Sequence, residues 1–408
     1  MAKYQLIMKI AIITSGRLPV PAIKGGAVET KLDYILEYNS IHHLYDITVY
    51  SIKPDRIIDK NTNCNHYVYF ILNSPWSRLL KKIYSYFNKR PYYDDSIEYF
   101  LYRCITDIKK KSFDYIILAN RPGYILKLQK AIKSNYIIQI NNDYLNPNTP
   151  YATEIKKACS LIITCSDYLN RQAAKVPCIK YTPITTVHNG IDIKRFADAK
   201  PIDRSILGIK KDDFVIFFSG RLTKEKGILE LIQAVKLIRG IPSLKLIIAG
   251  ASFYGKDTNI TPFIKQLQDE SKEIKEQVYF TGYIDYQDMP SYLKTSNVIV
   301  VPSMWEEPFG LTVLEAMAAG VPLIATKSGG IPEICENVSI LIEREDICQN
   351  IANAILWIYN NPLEAMQMAH KASKRSRNFD MTNFSEKYLN AICQIQLSNR
   401  NSPIDCVK

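Results

Sequence analysis

Short apolar runs recur along the first half of the chain and alternate with stretches whose apolar residues repeat at helical spacing. Continuous apolar runs of this length are typical of strands buried on both faces of a parallel sheet. The predicted strands of this first series are 9–14, 47–51, 67–72, 115–119, 136–140 and 161–165. The pattern therefore predicts a doubly wound α/β unit.

The same rhythm restarts in the second half of the chain. The predicted strands of this second series are 214–218, 246–249, 278–280, 298–301 and 323–325. Between the two series, 189–213 carries Gly190, Pro201, Gly208 and many charges, a composition typical of a linker. We therefore expect one α/β domain over 1–200 and a second over 201–382, with a helix at about 383–400 that packs back on the first.

Composition limits the class of protein. The 408 residues are 47% hydrophobic, which is ample for real cores. The nine cysteines form no C-x-x-C pair, so neither a disulfide framework nor a zinc site is indicated. No apolar run approaches the roughly 20 residues of a membrane helix, and no cleavage signal follows the first run. We expect a soluble protein of the cytoplasm.

The net charge of +12 changes the range of expected partners. A basic surface attracts phosphate-rich molecules, whether nucleic acid, anionic lipid or nucleotide, although an AT-rich coding bias explains part of the excess equally well. No basic stripe with stacking aromatic residues accompanies the charge, so nucleic acid is not an expected partner.

The segment 301–320 carries the most informative chemistry. It follows a predicted strand and runs into a helix, with Glu307 in the preceding turn and Glu315 about one turn into the helix. The amides near Leu311 and the positive end of the helix dipole favour a bound phosphate. Glu315 is then placed to accept hydrogen bonds from hydroxyl groups.

A second cluster follows the strand that opens the second domain. Gly220 lets the backbone turn, and Arg221 with Lys226 places two cations where a strand gives way to a helix. Ligands of α/β sheets bind at such positions, and a diphosphate fits the charges. Taken alone, two cations five residues apart are more typical of a solvated helix start. Together with Glu307 and Glu315 they indicate a binding site.

Gly25 and Gly26 lie between the first strand and the first helix. Two glycines at a helix N-terminus allow close backbone approach to a phosphate or sugar oxygen. The dinucleotide pattern G-x-G-x-x-G is not formed after this strand, so a nicotinamide dehydrogenase is disfavoured.

Together these motifs resemble the family 4 glycosyltransferases, which are retaining enzymes of the GT-B architecture. The resemblance covers nearly the whole chain. It is carried by 25–27, 188–192, 220–222, Lys226-Gly227, Gly282, the Glu-x7-Glu pair of Glu307 and Glu315, and 329–333. The amino-acid sequence of 24–29 is similar to that of bacterial members that build surface or spore-coat polysaccharides. The resemblance implies two Rossmann-like doubly wound domains that face each other across a cleft.

The resemblance also implies roles for individual residues. Arg221 and Lys226 would hold the diphosphate of a nucleotide-sugar donor, next to Gly220, and Glu315 would bind its ribose hydroxyls. The donor sugar would be bound by Glu307 and by backbone amides, those of Phe309, Gly310 and Leu311. Gly25 and Gly26 would approach the diphosphate from the opposite domain. No metal and no cofactor is expected, since no D-x-D triplet occurs and the two cations can neutralise the leaving phosphate.

The chain departs from the family at one position. Many members have a histidine at the end of the strand that here leads into Asn141, Asn142 and Asp143. An amide can orient a hydroxyl group but cannot accept a proton at neutral pH, so a histidine base is excluded here. Asp143 is a substitute candidate, although a turn role is more typical of an aspartate at a loop end.

The segment 76–93 predicts an amphipathic helix with a basic face. Its apolar residues are Trp76, Leu79, Leu80, Ile83, Tyr84 and Phe87, and its cations are Arg78, Lys81, Lys82 and Lys89. Such a helix can lie on an anionic membrane, where family members often find lipid-linked acceptors. Because amphipathicity is the default for surface helices, we expect its apolar face to cover the core of the first domain instead.

Other functions share some of these features. A GT-B epimerase or phosphorylase has the same architecture, and a glycosidase also uses two carboxylates but needs no cationic clamp for a diphosphate. A catalytically silent coat or scaffold protein could keep the fold and lose turnover, which the missing histidine would allow. A glycosyltransferase is the function that the motifs favour.

Overall fold

The computed structural model describes residues 8–23, 25–56, 61–88, 91–251 and 261–400, with side chains up to 395. Its contacts divide the chain into two compact units. Unit 1 consists of the residues up to His188 together with those from Thr382 onward, and unit 2 runs from Asn189 to Met381. The chain therefore enters unit 2 once and returns to unit 1 at its end.

Among the described residues, unit 1 contains a seven-stranded sheet in the order β3-β2-β1-β4-β5-β6-β7. Every neighbouring pair is parallel. The strands are β1 Lys9–Ile13, β2 Asp46–Ile52, β3 Asn65–Phe70, β4 Tyr115–Ala119, β5 Asn135–Ile140, β6 Cys159–Thr164 and β7 Ile184–Thr186. The β4 residues are all buried, as its uninterrupted apolar sequence predicts for a strand covered on both faces.

The helices of unit 1 connect these parallel strands. They are α1 Ala27–His42, α2 Pro75–Phe87, α3 Asp95–Ile108, α4 Ile125–Ala131, α5 Ala152–Ala158 and α6 Asp167–Ala174, with a 3-10 turn at Pro122–Tyr124. Several begin at side-chain caps, since Ser74, Asp94 and Ser166 accept hydrogen bonds from first-turn amides of α2, α3 and α6.

Unit 2 repeats the design with a six-stranded parallel sheet in the order β10-β9-β8-β11-β12-β13. Its strands are β8 Phe214–Ser219, β9 Leu244–Ala249, β10 Val278–Gly282, β11 Val298–Val301, β12 Leu323–Thr326 and β13 Ile340–Ile342. Strand order reverses between β8 and β11. In open α/β sheets, ligands bind outside the carboxyl ends of the strands at such a switch point.

The helices of unit 2 are α7 Ile193–Ala197, α8 Ile228–Leu237, α9 Pro262–Glu270, α10 Met289–Thr295, α11 Leu311–Ala319, α12 Ile331–Cys335, α13 Ile347–Asn360 and α14 Pro362–Ser376. Short 3-10 turns occupy Arg204–Leu207, Lys224–Lys226, Lys272–Ile274 and Arg377–Phe379. One apolar core of this unit joins α8 and α13 to the sheet.

The last helix, α15 Met381–Arg400, packs on unit 1. Its side chains Tyr388, Leu389 and Ile392 are buried in the core of that unit. The hydroxyl of Tyr388 donates to Gln139 Oε1 at 3.3 Å, and the hydroxyl of Tyr45 donates to the Leu389 carbonyl oxygen at 3.1 Å. Full burial of each such side chain stabilises the fold by about 1.5–3 kcal/mol.

The apolar face of α2 does not cover the core, so the sequence-based expectation for it is wrong. Trp76, Leu79, Leu80, Ile83 and Phe87 are all exposed. Tyr84 is half-buried, and Lys89 lies outside the described residues. The helix thus carries a large apolar surface in contact with solvent.

Two further observations concern the exported and membrane classes of protein. No helix in the described ranges is long and apolar enough to cross a bilayer. Seven cysteines of the described residues are free.

Candidate functional site

The candidate site of unit 2 lies at the carboxyl ends of β8 and β11. These strands are parallel neighbours, with Ile216 opposite Val298 and Phe217 opposite Ile299. The segment with Arg221 and Lys226 follows β8, and the segment with Glu307 follows β11. Adjacent parallel strands therefore bring two segments that are about eighty residues apart to one edge of the sheet.

Gly227 lies where the two segments come closest to each other. Its φ is +70°, and a Cβ placed on it would lie 1.8 Å from the carbonyl oxygen of Pro302. The amide of Met304 donates to the carbonyl oxygen of Glu225 at 2.9 Å, a second link between the same segments. Only glycine combines this close approach with a left-handed conformation.

An ion pair joins the predicted cation to the predicted carboxylate. Lys226 Nζ lies 2.5 Å from Glu307 Oε1, and the side chains are 20% and 8% exposed. The hydroxyl of Ser303, which is fully buried, donates to the same oxygen at 2.7 Å. The ammonium also lies 5.3 Å from the ring centre of Trp305. An ion pair that is this buried needs further partners to offset the cost of its desolvation. Ser303 and Trp305 provide them here.

Arg221 is more open to solvent than Lys226. Its guanidinium lies 3.6 Å from Glu225 Oε1, and the two side chains are 40% and 37% exposed. An exposed ion pair at that distance is weak, so the guanidinium can leave it for a stronger anion at little cost. Gly220 precedes it at the end of β8, where its amide donates to the Ala249 carbonyl oxygen at 3.1 Å.

The loop before α11 is fixed by its neighbours. A Cβ on Gly329 would lie 2.0 Å from the Glu307 carbonyl oxygen, and the amide of Gly330 donates to that oxygen at 2.7 Å. Gly310 then caps α11, which starts at Leu311, while Phe309 is buried. First-turn amides have no partner within a helix and carry partial positive charge, so this end of α11 suits an anion.

Glu315 lies in the second turn of α11 and is buried, with 9% of its surface exposed. Burial raises the pKa of this carboxyl group to about 8, and the positive charge of Arg195 opposes the rise. Arg195 itself stacks 4.7 Å from the ring centre of Tyr286 and donates to the Tyr286 carbonyl oxygen at 2.8 Å. Burial of this carboxyl group therefore favours its neutral form.

Gly25 and Gly26 belong to unit 1, at the start of α1. A Cβ on Gly26 would lie 2.5 Å from Glu29 Oε2. Glu29 is buried and accepts a hydrogen bond from the Ser15 hydroxyl at 2.8 Å. Burial raises the pKa of Glu29, opposed by that hydrogen bond. Gly26 thus lies over a buried carboxyl group, whereas nothing lies within 4 Å of a Cβ on Gly25, and the neighbouring Lys24 is outside the described residues.

Asn141 directly follows β5 in unit 1 and is 9% exposed. Its Oδ1 accepts a hydrogen bond from Lys31 Nζ, and its backbone amide donates to Asn120 Oδ1 at 3.0 Å. Its Nδ2 has no hydrogen-bond partner among the described residues. Lys31 is buried, which lowers its pKa to about 8. The position after β5 therefore holds an amide that a buried lysine orients.

Asn142 and Asp143 continue from Asn141 into a loop. Both are half-buried. Asp143 lines a cavity of about 390 Å³ in unit 1, together with Tyr92, Tyr93, Arg121, Tyr144 and five neighbouring residues. Tyrosine rings beside a carboxylate and a guanidinium provide both the flat apolar surfaces and the hydrogen-bonding groups of a sugar-binding site.

The structure therefore brings some predicted residues together within unit 2 and places the others in unit 1. Lys226 and Glu307 are in contact, and Arg221 lies on the loop that contacts the same segment. Gly25, Gly26 and 141–143 belong to unit 1.

Sequence reasoning missed four residues that support these groups, namely Ser303, Trp305, Arg195 and Lys31. Ser303 and Trp305 stand inside the segment 301–320 and could have been noted there. Nothing in the local sequence around Arg195 or Lys31 indicates a role in the site. Each of these residues acts on a partner more than one hundred positions away in the chain.

We predict that Gly227→Ala destabilises unit 2 more than Gly208→Ala does. Both glycines are left-handed, with φ of +70° and +65°, so both substitutions carry about 1–2 kcal/mol of backbone strain. Nothing lies within 4 Å of a Cβ on Gly208, whereas the Cβ on Gly227 meets Pro302. The difference in melting temperature between the two variants measures the effect of the clash with Pro302. Equal melting temperatures would contradict this role for Gly227.

Two α/β units with parallel sheets, with cations and a carboxylate at the switch point of the second, are the architecture of the GT-B fold. Residues 199–379 match the family model described as "Glycosyl transferases group 1". This chain is a glycosyltransferase with the GT-B fold.

Two proteins of Bacillus subtilis (strain 168) are similar over most of their lengths. Spore coat protein SA is 28% identical over 344 residues, which cover 81% of this chain and 83% of that protein. The putative glycosyltransferase YtcC is 24% identical over 410 residues, which cover 97% and 94%. Among solved structures, Anabaena HepE in complex with UDP-glucose aligns with a TM-score of 0.71 at 18% identity, over 95% of this chain and 100% of that one. This last likeness supports the fold.

Proposed function

We propose that this chain is a retaining, family 4 type glycosyltransferase that moves a sugar from a nucleoside diphosphate to a saccharide or lipid-linked acceptor. The observation that carries the proposal is the contact of Lys226 with Glu307 at the β8–β11 switch point, next to the N-terminus of α11. A site with a cation, a carboxylate and helix amides matches a substrate that combines phosphates with hydroxyl groups.

In this proposal, Arg221 and Lys226 stabilise the leaving group. As the bond between the anomeric carbon and the phosphate oxygen breaks, negative charge grows on the distal phosphate and the sugar becomes electron-poor. Two cations placed beside that charge lower the barrier by stabilising it. The leaving diphosphate takes both electrons of the broken bond.

The acceptor attacks from the face that the diphosphate leaves. Its hydroxyl oxygen forms the new bond to the anomeric carbon, and its proton passes to the departing phosphate oxygen, so the configuration is retained. This route needs no protein base, which agrees with an amide at Asn141 where many relatives have a histidine. Glu307 and the amides of Phe309, Gly310 and Leu311 position the donor sugar.

The remaining assignments are part of the same proposal. Glu315 binds the ribose hydroxyls, and Gly220, Gly25 and Gly26 allow close approach of the backbone to the diphosphate. Asn141, Asn142 and Asp143 orient the acceptor or the sugar, and the tyrosine-lined cavity beside Asp143 is the surface that would receive a saccharide.

We further propose that the reaction needs neither a metal ion nor a cofactor, since two protein cations serve the phosphates. Transfer measured in excess EDTA is then expected to equal transfer in magnesium. A rate that falls at least tenfold with EDTA and recovers on adding a divalent cation would contradict this assignment.

The central test is the release of nucleoside diphosphate from UDP-, GDP-, ADP- and dTDP-sugars in the presence of an acceptor extract. One donor is expected to give acceptor-dependent release, and NMR of the product is expected to show the anomeric configuration of the donor. A silent coat or scaffold protein gives no release with any donor. An inverted product would reject the front-face route while leaving glycosyl transfer intact.

We place this activity in the cytoplasm, at the inner face of the membrane when the acceptor is lipid-linked. Nucleotide sugars and a lipid-linked acceptor meet at that surface, and peripheral contact would keep the enzyme there. Fractionation of cells that express the full chain tests this location.

A further inference from the structure

The helix α2 presents one continuous apolar face to solvent. Trp76, Tyr86 and Phe87 are 74%, 79% and 74% exposed, and Leu79, Leu80 and Ile83 are between 46% and 49% exposed. These positions follow the three- and four-residue spacing of a single helix face. Soluble proteins rarely expose so many large apolar side chains together unless the surface binds something.

The fold holds α2 by its opposite face. Ser77 is buried, Lys81 Nζ donates to Ser96 Oγ at 3.0 Å, and the ring of Tyr84 lies 5.0 Å from that of Tyr102. The contacts of Lys81 and Tyr84 are made to α3, and they fix which side of α2 faces outward. The apolar side is therefore directed to solvent by well-defined packing.

Two exposed cations lie beside this apolar face. Arg78 and Lys82 are exposed, and no aspartate or glutamate occurs anywhere between positions 60 and 93. A second copy of this chain would bring the same cations against each other. An anionic bilayer instead offers acyl chains to the apolar side chains and phosphate groups to the cations.

We propose that α2 is a membrane-docking helix that lies in the headgroup region of an anionic bilayer. Trp76, Leu79, Leu80, Ile83, Tyr86 and Phe87 enter the bilayer surface, and Arg78 and Lys82 pair with lipid phosphates. The binding needs neither donor nor acceptor, so it stands or fails independently of the proposed transfer reaction.

The expected effects of substitutions on binding follow from two contributions, the attraction of cations to lipid phosphates and the burial of apolar side chains. Each cation near an anionic surface contributes about fivefold to the partition coefficient, so Arg78→Gln with Lys82→Gln lowers binding about 25-fold. Each large aromatic side chain that leaves the bilayer costs about tenfold or more, so Trp76→Ser with Phe87→Ser lowers binding at least 100-fold.

The experiment is sedimentation of the full chain with vesicles of phosphatidylcholine and phosphatidylglycerol, compared with vesicles of phosphatidylcholine alone. The parent chain is expected to bind the mixed vesicles far more tightly, and added salt to weaken that binding. Matched controls lie on α14, where Leu363→Ser with Met366→Ser and Lys371→Gln with Lys374→Gln change similarly exposed residues of unit 2. These controls are expected to bind as the parent does.

Three results would overturn the proposal. One is absence of binding to the mixed vesicles, and another is an equal loss in the α14 controls. The third is self-association of the parent without vesicles that Trp76→Ser with Phe87→Ser abolishes, because a second copy would then cover α2. Thermal melting of each variant, which is expected to match the parent because these side chains are exposed, confirms that binding is compared between folded proteins.

Discussion

Replacing Lys226 by alanine is expected to slow sugar transfer by about 10²–10³-fold, because a preorganised cation aimed at the leaving phosphate is lost. Arg221→Ala is expected to have an effect of the same order. Steady-state release of nucleoside diphosphate at saturating donor measures both. Arg221 is half-exposed, so its removal leaves the fold unchanged and separates catalysis from stability, whereas Lys226→Ala also leaves Glu307 without its ion pair.

The matched control is Lys224→Ala, an exposed cation on the same 3-10 turn. It keeps the turn and removes one charge, and its rate is expected to stay within a few fold of the parent. If Arg221→Ala and Lys224→Ala gave equal rates in folded protein, the diphosphate assignment would be wrong.

Glu315→Gln is expected to weaken nucleotide binding and to stabilise the empty protein. A carboxylate that accepts hydrogen bonds from ribose hydroxyls contributes about 1.5–3 kcal/mol, so the dissociation constant for the nucleoside diphosphate rises about 10–100-fold. The stability gain arises because burial raises the pKa of this group to about 8. Titration calorimetry and thermal melting measure the two effects.

The pH dependence has a definite sign. Below pH 4.5 the carboxyl group is protonated in both folded and unfolded chains and carries no penalty. Between pH 4.5 and the folded pKa of about 8, the unfolded chain has released this proton and the folded chain still holds it, so stability falls across this window. Glu315→Gln removes that loss, which is roughly 4 kcal/mol at pH 8.

The control for this prediction is Glu364→Gln, an exposed acid at the start of α14. Its melting curve is expected to follow the parent at every pH. A parent whose stability relative to Glu315→Gln does not change between pH 5 and pH 8 would contradict the raised pKa.

Periodicity predicted most of both sheets because strands buried on two faces are uninterrupted apolar runs. It missed β7 and β13, each of three residues, since Ile184–Thr186 is half-buried and partly polar and Ile340–Ile342 is too short to stand out. The chain was expected to change domains near residue 200, and its contacts change between His188 and Asn189.

The site could be predicted only where its groups lie in one segment or after neighbouring strands. Glu307 and Lys226 were found through motifs, and their contact follows from the β8–β11 adjacency. Arg195 and Lys31 were not found, because tertiary packing alone brings them to Glu315 and Asn141. Likewise, periodicity identified the apolar face of α2 and could not show whether the core or the solvent meets it.

The ion pair between Lys226 and Glu307 has a consequence for selectivity. In the empty site the ammonium of Lys226 is already paired with the carboxylate of Glu307. An incoming anion therefore gains only the difference between its own interaction with the ammonium and the interaction that it replaces. Sulfate, which has no hydroxyl group to donate to the carboxylate, would gain little there. In the proposed reaction a nucleotide sugar would provide hydroxyl groups for Glu307 while its phosphates pair with the ammonium, so the two halves of the donor would be recognised together.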